Sequence, residues 1–191
     1  MNISMLGSGF IGRFYADSLQ GYRSRDKLVA IYSRKKESAD KFANDYQVAF
    51  ATTVMEEAIA RPEVDVVCIS LPNHLHEEAV LLCCKHQKAV MTTKPLGRNA
   101  SEGLRMLEAV EKAGIFNGYL EDLVYTPKFI KAEESVRKGS LGRILWAKSR
   151  ETHPGPHSDW FWDMELAGGG CILDLGCHCV EITRSYIGKD I

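Results

Sequence analysis

No apolar run in this sequence approaches the roughly 18 to 20 residues that cross a bilayer as a helix. No block of like charge is present either: 24 Lys and Arg stand against 25 Asp and Glu, a formal net charge of −1. That balance removes the electrostatic case for nucleic acid or an anionic membrane as partner. Internal repeats and low-complexity tracts are missing, which excludes a collagen-like fibre or a disordered tail. The start, Met1-Asn2-Ile3-Ser4-Met5-Leu6, lacks the basic opening and long apolar stretch of a secretory signal. The six cysteines, Cys68, Cys83, Cys84, Cys171, Cys177 and Cys179, mostly sit in apolar segments and contain no C-x-x-C pair. Reduced thiols, no metal site and a cytoplasmic setting are therefore expected. What is present is ordinary globular composition, 45 % hydrophobic and 26 % charged over 191 residues.

Short apolar runs alternate with helical stretches through the first two-thirds of the chain. Strands are expected at Asn2–Leu6, Lys27–Tyr32, Gln47–Phe50, Val64–Leu71, Ala89–Thr93 and Ile115–Leu120. Helices are expected at Phe10–Leu19, Lys35–Asp45, Val54–Ala60, Glu77–His86 and Ala100–Ala113. Continuously apolar strands separated by helices predict a doubly wound parallel α/β sheet, covered on both faces. After Glu121 the rhythm changes to a helix at Pro127–Lys138, an alternating strand at Arg143–Glu151, a Pro/Gly/His loop and a helix at Ile172–Ile187. One strand and two helices are too little for a second core. The reading is a first domain over 1–121 and the incomplete start of a second over 122–191.

Gly7-Ser8-Gly9-Phe10-Ile11-Gly12 fits G-x-G-x-x-G between a strand and a helix, the context that a dinucleotide-binding turn requires. Gly7 permits the tight turn, Gly9 lets the backbone approach a pyrophosphate, and Gly12 lets helix and strand pack closely. Free amides at the helix start, including those of Phe10 and Ile11, then face negative charge. The next strand carries no acid for a ribose 2′-hydroxyl at its end; it reads Tyr32-Ser33-Arg34-Lys35-Lys36. Ser33 and Arg34 suit a 2′-phosphate, so NADP is preferred over NAD.

Ligands in such sheets bind at the carboxyl ends of strands. Three polar clusters fall there: Pro72-Asn73-His74-Leu75-His76, Lys94-Pro95-Leu96-Gly97, and Glu121-Asp122. Pro95 biases Lys94 away from the α region and holds it at the strand tip. On one continuous helix from Ile172, Asp174 and His178 stand at i and i+4, the spacing that lets a carboxylate orient an imidazole. The stretch Glu151–Asp163 is rich in polar and aromatic groups; His153, His157 and Trp162 are its candidates for touching a sugar-like substrate.

Together these motifs resemble the glucose–fructose oxidoreductase / inositol dehydrogenase / rhizopine-catabolism (Gfo/Idh/MocA) family. The resemblance runs through Gly7–Gly12, Leu71-Pro72-Asn73 with His76, Lys94-Pro95-Leu96-Gly97, and Gly168-Gly169-Gly170 with Asp174, Gly176 and His178. It implies a Rossmann domain followed by an α/β domain, and hydride transfer between NAD or NADP and a secondary alcohol of a sugar or polyol. Lys94, Asp174 and His178 match the catalytic set. Asn73 and His76 match positions beside the nicotinamide, and Leu71, Pro72 and Lys94 join the cofactor-binding set. A homo-oligomer in the full-length form is also implied. Thr93 stands where the family commonly has Glu. The competing reading is a non-catalytic or truncated dinucleotide-binding module.

Overall fold

The computed structural model describes residues 1–21 and 25–188. Six strands form one sheet: β1 (Asn2–Leu6), β2 (Lys27–Tyr32), β3 (Phe50–Thr52), β4 (Val66–Ile69), β5 (Ala89–Thr93) and β6 (Asn117–Leu120). Their order is β3-β2-β1-β4-β5-β6 and every neighbouring pair is parallel. The order reverses between β1 and β4, so the carboxyl ends of those strands open the crevice in which such sheets hold ligands.

Side-chain alternation explains why both faces are covered. Leu6, Val67 and Ile69 belong to one core, whereas Met5, Val66 and Cys68 belong to the other. The first core lies under α3 (Met55–Ala60), α4 (His76–Lys85) and α5 (Ala100–Ala113), which contribute Ile59, Cys83 and Met106. The second lies under α1 (Phe10–Gln20) and α2 (Lys36–Tyr46), which contribute Ala16 and Phe42. Each large side chain withdrawn from water in this way stabilises the fold by roughly 1.5–3 kcal/mol before entropy is counted. All six cysteines are free thiols. Burial pushes Cys68 up to about 11 and Cys83 up to about 12, so both behave as small apolar groups.

Local chemistry sets the boundaries. Asn99 caps α5 by accepting from the Glu102 amide at 3.0 Å, and Gly114, at φ +66°, ends it. The third strand runs over Phe50–Thr52 rather than Gln47–Phe50, because Gln47 takes left-handed geometry (φ 56°) to terminate α2. The fourth is shorter than expected at Val66–Ile69.

Beyond β6 the chain forms α6 (Pro127–Arg137), α7 (Met164–Ala167), α8 (Cys171–Asp174) and α9 (Gly176–Ile187). The strand expected at Arg143–Glu151 is absent. Alternation signals a face to be covered, but a strand exists only as half of a pair, and no described residue pairs with this segment. Leu145 and Trp146 remain 81 % and 77 % exposed. The helix expected from Ile172 to Ile187 is two helices, broken at Leu175. No described helix is long and apolar enough to cross a membrane.

Candidate active site

The turn after β1 is shaped by contacts that admit no side chain. At Gly7, φ is +108° and a Cβ would lie 2.3 Å from the Ser70 carbonyl oxygen. At Gly12 a Cβ would lie 2.0 Å from the Gly7 carbonyl oxygen. Gly9 differs: a Cβ there would meet nothing within 4 Å, and no side chain caps α1 behind it. The turn is tight where it meets the sheet and open where amides of the first helical turn are left without intrahelical partners. Phe10 and Ile11 are exposed beside that opening, at 61 % and 39 %.

At the end of β2, Ser33 is buried and its hydroxyl pairs with that of Ser8 at 2.8 Å. Arg34 is exposed next to it. The loop between β4 and α4 is differently engaged. Asn73 is buried, and its amide nitrogen donates to the Ala167 carbonyl at 2.8 Å. His76 is fully buried, with Nδ1 3.0 Å from the Pro95 carbonyl and Nε2 2.9 Å from that of Leu71. Burial holds this imidazole below its ordinary range, against the opposing pull of the carbonyls. Asn73 and His76 therefore do not line an open nicotinamide face. One ties α7 to the sheet, and the other staples the loop after β4 to the loop after β5. Leu71 is buried and Pro72 half-buried at the base of the same loop.

Thr93 of β5 and Leu120 of β6 are paired in register, so the residues that follow, Lys94 and Glu121, leave the sheet side by side. Each reaches one residue of the α8–α9 segment. Lys94 Nζ donates to Asp174 Oδ1 at 2.5 Å and to the Asp174 carbonyl at 3.0 Å. Glu121 Oε1 faces His178 Nδ1 in a buried pair. The break at Leu175 is what allows this. It turns Asp174 towards Lys94 and His178 towards Glu121, so the expected Asp174–His178 pair does not form. Periodicity along one straight helix was the wrong geometry for a segment that contains a break.

The polar loop also contributes. His153 Nδ1 accepts from the Gly155 amide at 3.1 Å, which places its proton on Nε2, 3.5 Å from Asp174 Oδ2. His157 stacks on His153 (5.6 Å) and on Phe10 of the glycine turn (4.9 Å). A continuous ring stack thus runs from the glycine turn to Asp174. Trp162 has no such neighbour among the described residues and is 78 % exposed.

Three positions do work that the motifs did not signal. Glu121 was visible only as an acid at a strand end; its partner is 57 residues away. Arg98 pairs with buried Glu102 at 2.6 Å and donates to the Glu165 carbonyl, docking α7. Gly168, at φ +80°, lies so close to Arg98 that a Cβ would come within 2.2 Å of the Arg98 Cβ. Its place in a glycine run was the sole clue to that contact.

The comparisons with known proteins agree with the fold. Residues 1–118 match a model described as "Oxidoreductase family, NAD-binding Rossmann fold", and residues 129–191 match the GFO/IDH/MocA C-terminal domain. The chain is 30 % identical to trans-1,2-dihydrobenzene-1,2-diol dehydrogenase of Mus musculus, over 96 % of this chain and 55 % of that one. It is 25 % identical to levoglucosan dehydrogenase of Pseudarthrobacter phenanthrenivorans, over 99 % of this chain and 52 % of the relative. Among solved structures, GenD2 from gentamicin A biosynthesis in complex with NAD superposes with a TM-score of 0.88 at 27 % identity, covering 99 % of this chain and 54 % of that one. The chain spans about half the length of the curated relatives it matches.

Proposed function

The chain belongs to the GFO/IDH/MocA oxidoreductase family, and from that premise we propose that it carries the dinucleotide half and the catalytic groups of a dehydrogenase acting on a secondary alcohol of a sugar or polyol. The observation that carries the reading is the Lys94–Asp174 pair at the carboxyl end of β5, in a fold whose glycine turn is crowded at Gly7 and Gly12 and open at Gly9. That open amide cradle fits a pyrophosphate. The names of the relatives support a polyhydroxylated or dihydrodiol substrate.

When bound, a nicotinamide dinucleotide supplies the hydride acceptor or donor. The remaining work falls to this chain. Lys94 Nζ is a hydrogen-bond donor and point charge for the substrate oxygen, stabilising alkoxide character as the C–H bond breaks. Asp174 keeps that ammonium group aimed. His178 takes the hydroxyl proton in oxidation and returns it in reduction. His153, held against Asp174, and His157, stacked on Phe10, are placed to form one wall of the substrate space. The division into 1–121 and 122–191 belongs to the same proposal and is supported by the drop in burial after Glu121. Six free thiols support a reducing compartment, and self-association is part of the same reading.

For the cofactor we propose NADP, on Ser33 and Arg34 in place of an acid after β2. NAD is the second reading, favoured by the NAD held in the GenD2 structure. Fluorescence titration with NADPH and NADH decides between them. Binding of NADPH about tenfold tighter, equivalent to about 1.4 kcal/mol, supports NADP, and tighter NADH overturns it. Binding without turnover of any polyol or sugar would favour the non-catalytic module.

A further inference from the structure

We propose that Glu121 is the positioning residue for His178, holding its ring in the tautomer that leaves Nε2 free as proton acceptor. The inference rests on the reading of His178 as the base. Glu121 is 4 % exposed and His178 7 %, so the contact between Oε1 and Nδ1 is made out of water. A carboxylate can only accept, so Nδ1 must carry the hydrogen, and the lone pair of a neutral ring then resides on Nε2.

Three observations make this more than a packing contact. First, Asp174, the acid that sequence spacing would pair with His178, is engaged by Lys94 and His153. Second, Glu121 is poorly supplied with other donors. The Leu123 amide reaches Oε1 at 3.4 Å, and the buried Oε2 has no hydrogen-bond partner. A buried oxygen left so under-satisfied is costly. Packing alone would be served as well by an apolar side chain, whereas orienting an imidazole needs an acceptor. Third, the position is set by the sheet. Glu121 follows directly on the Thr93↔Leu120 pairing, one strand over from Lys94.

The groups around the carboxylate reinforce its role as a fixed negative centre. Exposed Asp122 is next to it, and Tyr15 and Tyr119 are held above their ordinary range by burial first and then by nearby acids that include Glu121. Asp122, Glu121 and His178 each bring one oxygen or nitrogen to within 4.8 Å of the others, so a divalent cation is the rival occupant of the same spot.

The test labels the histidines of the intact chain with nitrogen-15 and reads the ring tautomers by long-range proton–nitrogen correlation near neutral pH, with His178→Gln as the assignment control. The expected result is a His178 signal of the Nδ1–H form, which becomes a tautomer mixture in Glu121→Gln. In turnover, Glu121→Gln is expected to lower kcat by about 10- to 100-fold with KM within about threefold, as loss of a residue that orients a proton acceptor should. Asp122→Asn should change neither readout. An Nε2–H ring in the unmodified chain, an unchanged kcat in Glu121→Gln, or stoichiometric Zn²⁺ binding that abolishes the Nδ1–H signal would each overturn the proposal. The tautomer needs neither substrate nor dinucleotide. A chain that fails as a dehydrogenase would sink the proposed function and leave the geometry of this pair standing or falling by itself.

Discussion

The sheet up to Glu121 and the segment that follows are held together by different physics. In the first, five helices cover the sheet, and residues such as Met5, Ile31, Phe42 and Ile69 are wholly withdrawn from water, with the edge strand β6 left partly open. In the second, Ala167, His178 and Ile182 are the buried residues among those described, and α6 buries none. What fixes the second region is a set of specific ties to the first: Asn73 to the Ala167 carbonyl, Arg98 to the Glu165 carbonyl, Lys94 to Asp174, and Glu121 to His178. Area holds one half in place and directed polar contacts hold the other. The contrast explains why the candidate chemistry gathers at their seam, since that is where polar side chains of one region find defined partners in the other.

The sharpest way to break the contrast is Lys94→Ala. Turnover is expected to fall about 1000-fold, a magnitude typical of a lost charge-stabilising or proton-handling group, while dinucleotide binding stays within a few-fold. Steady-state kinetics beside a fluorescence titration separates the two; intact turnover would remove Lys94 from the mechanism. Next comes a pair of truncations. Ile69→Ala in the core should cost about 2–5 kcal/mol in chemical denaturation. Leu145→Ala should stay within about 0.5 kcal/mol, because its side chain is already in water. Equal costs would mean that the second region owns a core after all.

Gly168→Ala probes the seam. The added methyl would meet the backbone of Arg98 at a positive φ, so about 1–3 kcal/mol of docking should be lost. Protease protection of the residues after Glu121 should drop while NAD(H) binding by the sheet survives. A variant with wild-type protection would deny the tie. The smallest effect concerns His76, which burial holds below its ordinary value of 6.5. A depressed histidine binds its proton more readily when unfolded, so it adds stability above about pH 6.5 that is lost on acidification, at most about 1.4 kcal/mol per pH unit. Denaturation midpoints at pH 7.5 and 5.5 should show the loss, and replacing His76 should flatten it.

Legibility in the sequence followed the same divide. Apart from the third, which lies at Phe50–Thr52 rather than Gln47–Phe50, the strands up to Leu120 could be read because a buried parallel strand is marked by its own apolar run. The glycine turn was readable because its spacing stands between an apolar run and a helix start, although the crowding at Gly7 comes from distant Ser70. The segment Arg143–Glu151 misled because alternation describes a face without saying whether a neighbour is present to pair with it. Asp174 and His178 misled for a related reason: four-residue spacing implies contact only on an unbroken helix, and the break at Leu175 re-aims both. Glu121, Arg98 and Asn73 act on partners far along the chain, and local pattern carries no trace of such pairing. The family resemblance puts His76 beside the nicotinamide; the fold shows its ring nitrogens facing the carbonyls of Pro95, Leu96 and Leu71.

The register of β5 and β6 has a further meaning. Neighbouring strands stand about 4.8 Å apart, and Lys94 and Glu121 each follow directly on the last paired rung, Thr93↔Leu120. The interval between Lys94 and the acid that faces His178 is therefore metric, dictated by the pitch of backbone pairing and not by any loop. Loops around the crevice can be rewritten for a new substrate while that gauge stays constant. A single-residue slip in either strand would put it out of calibration, however well every side chain were preserved.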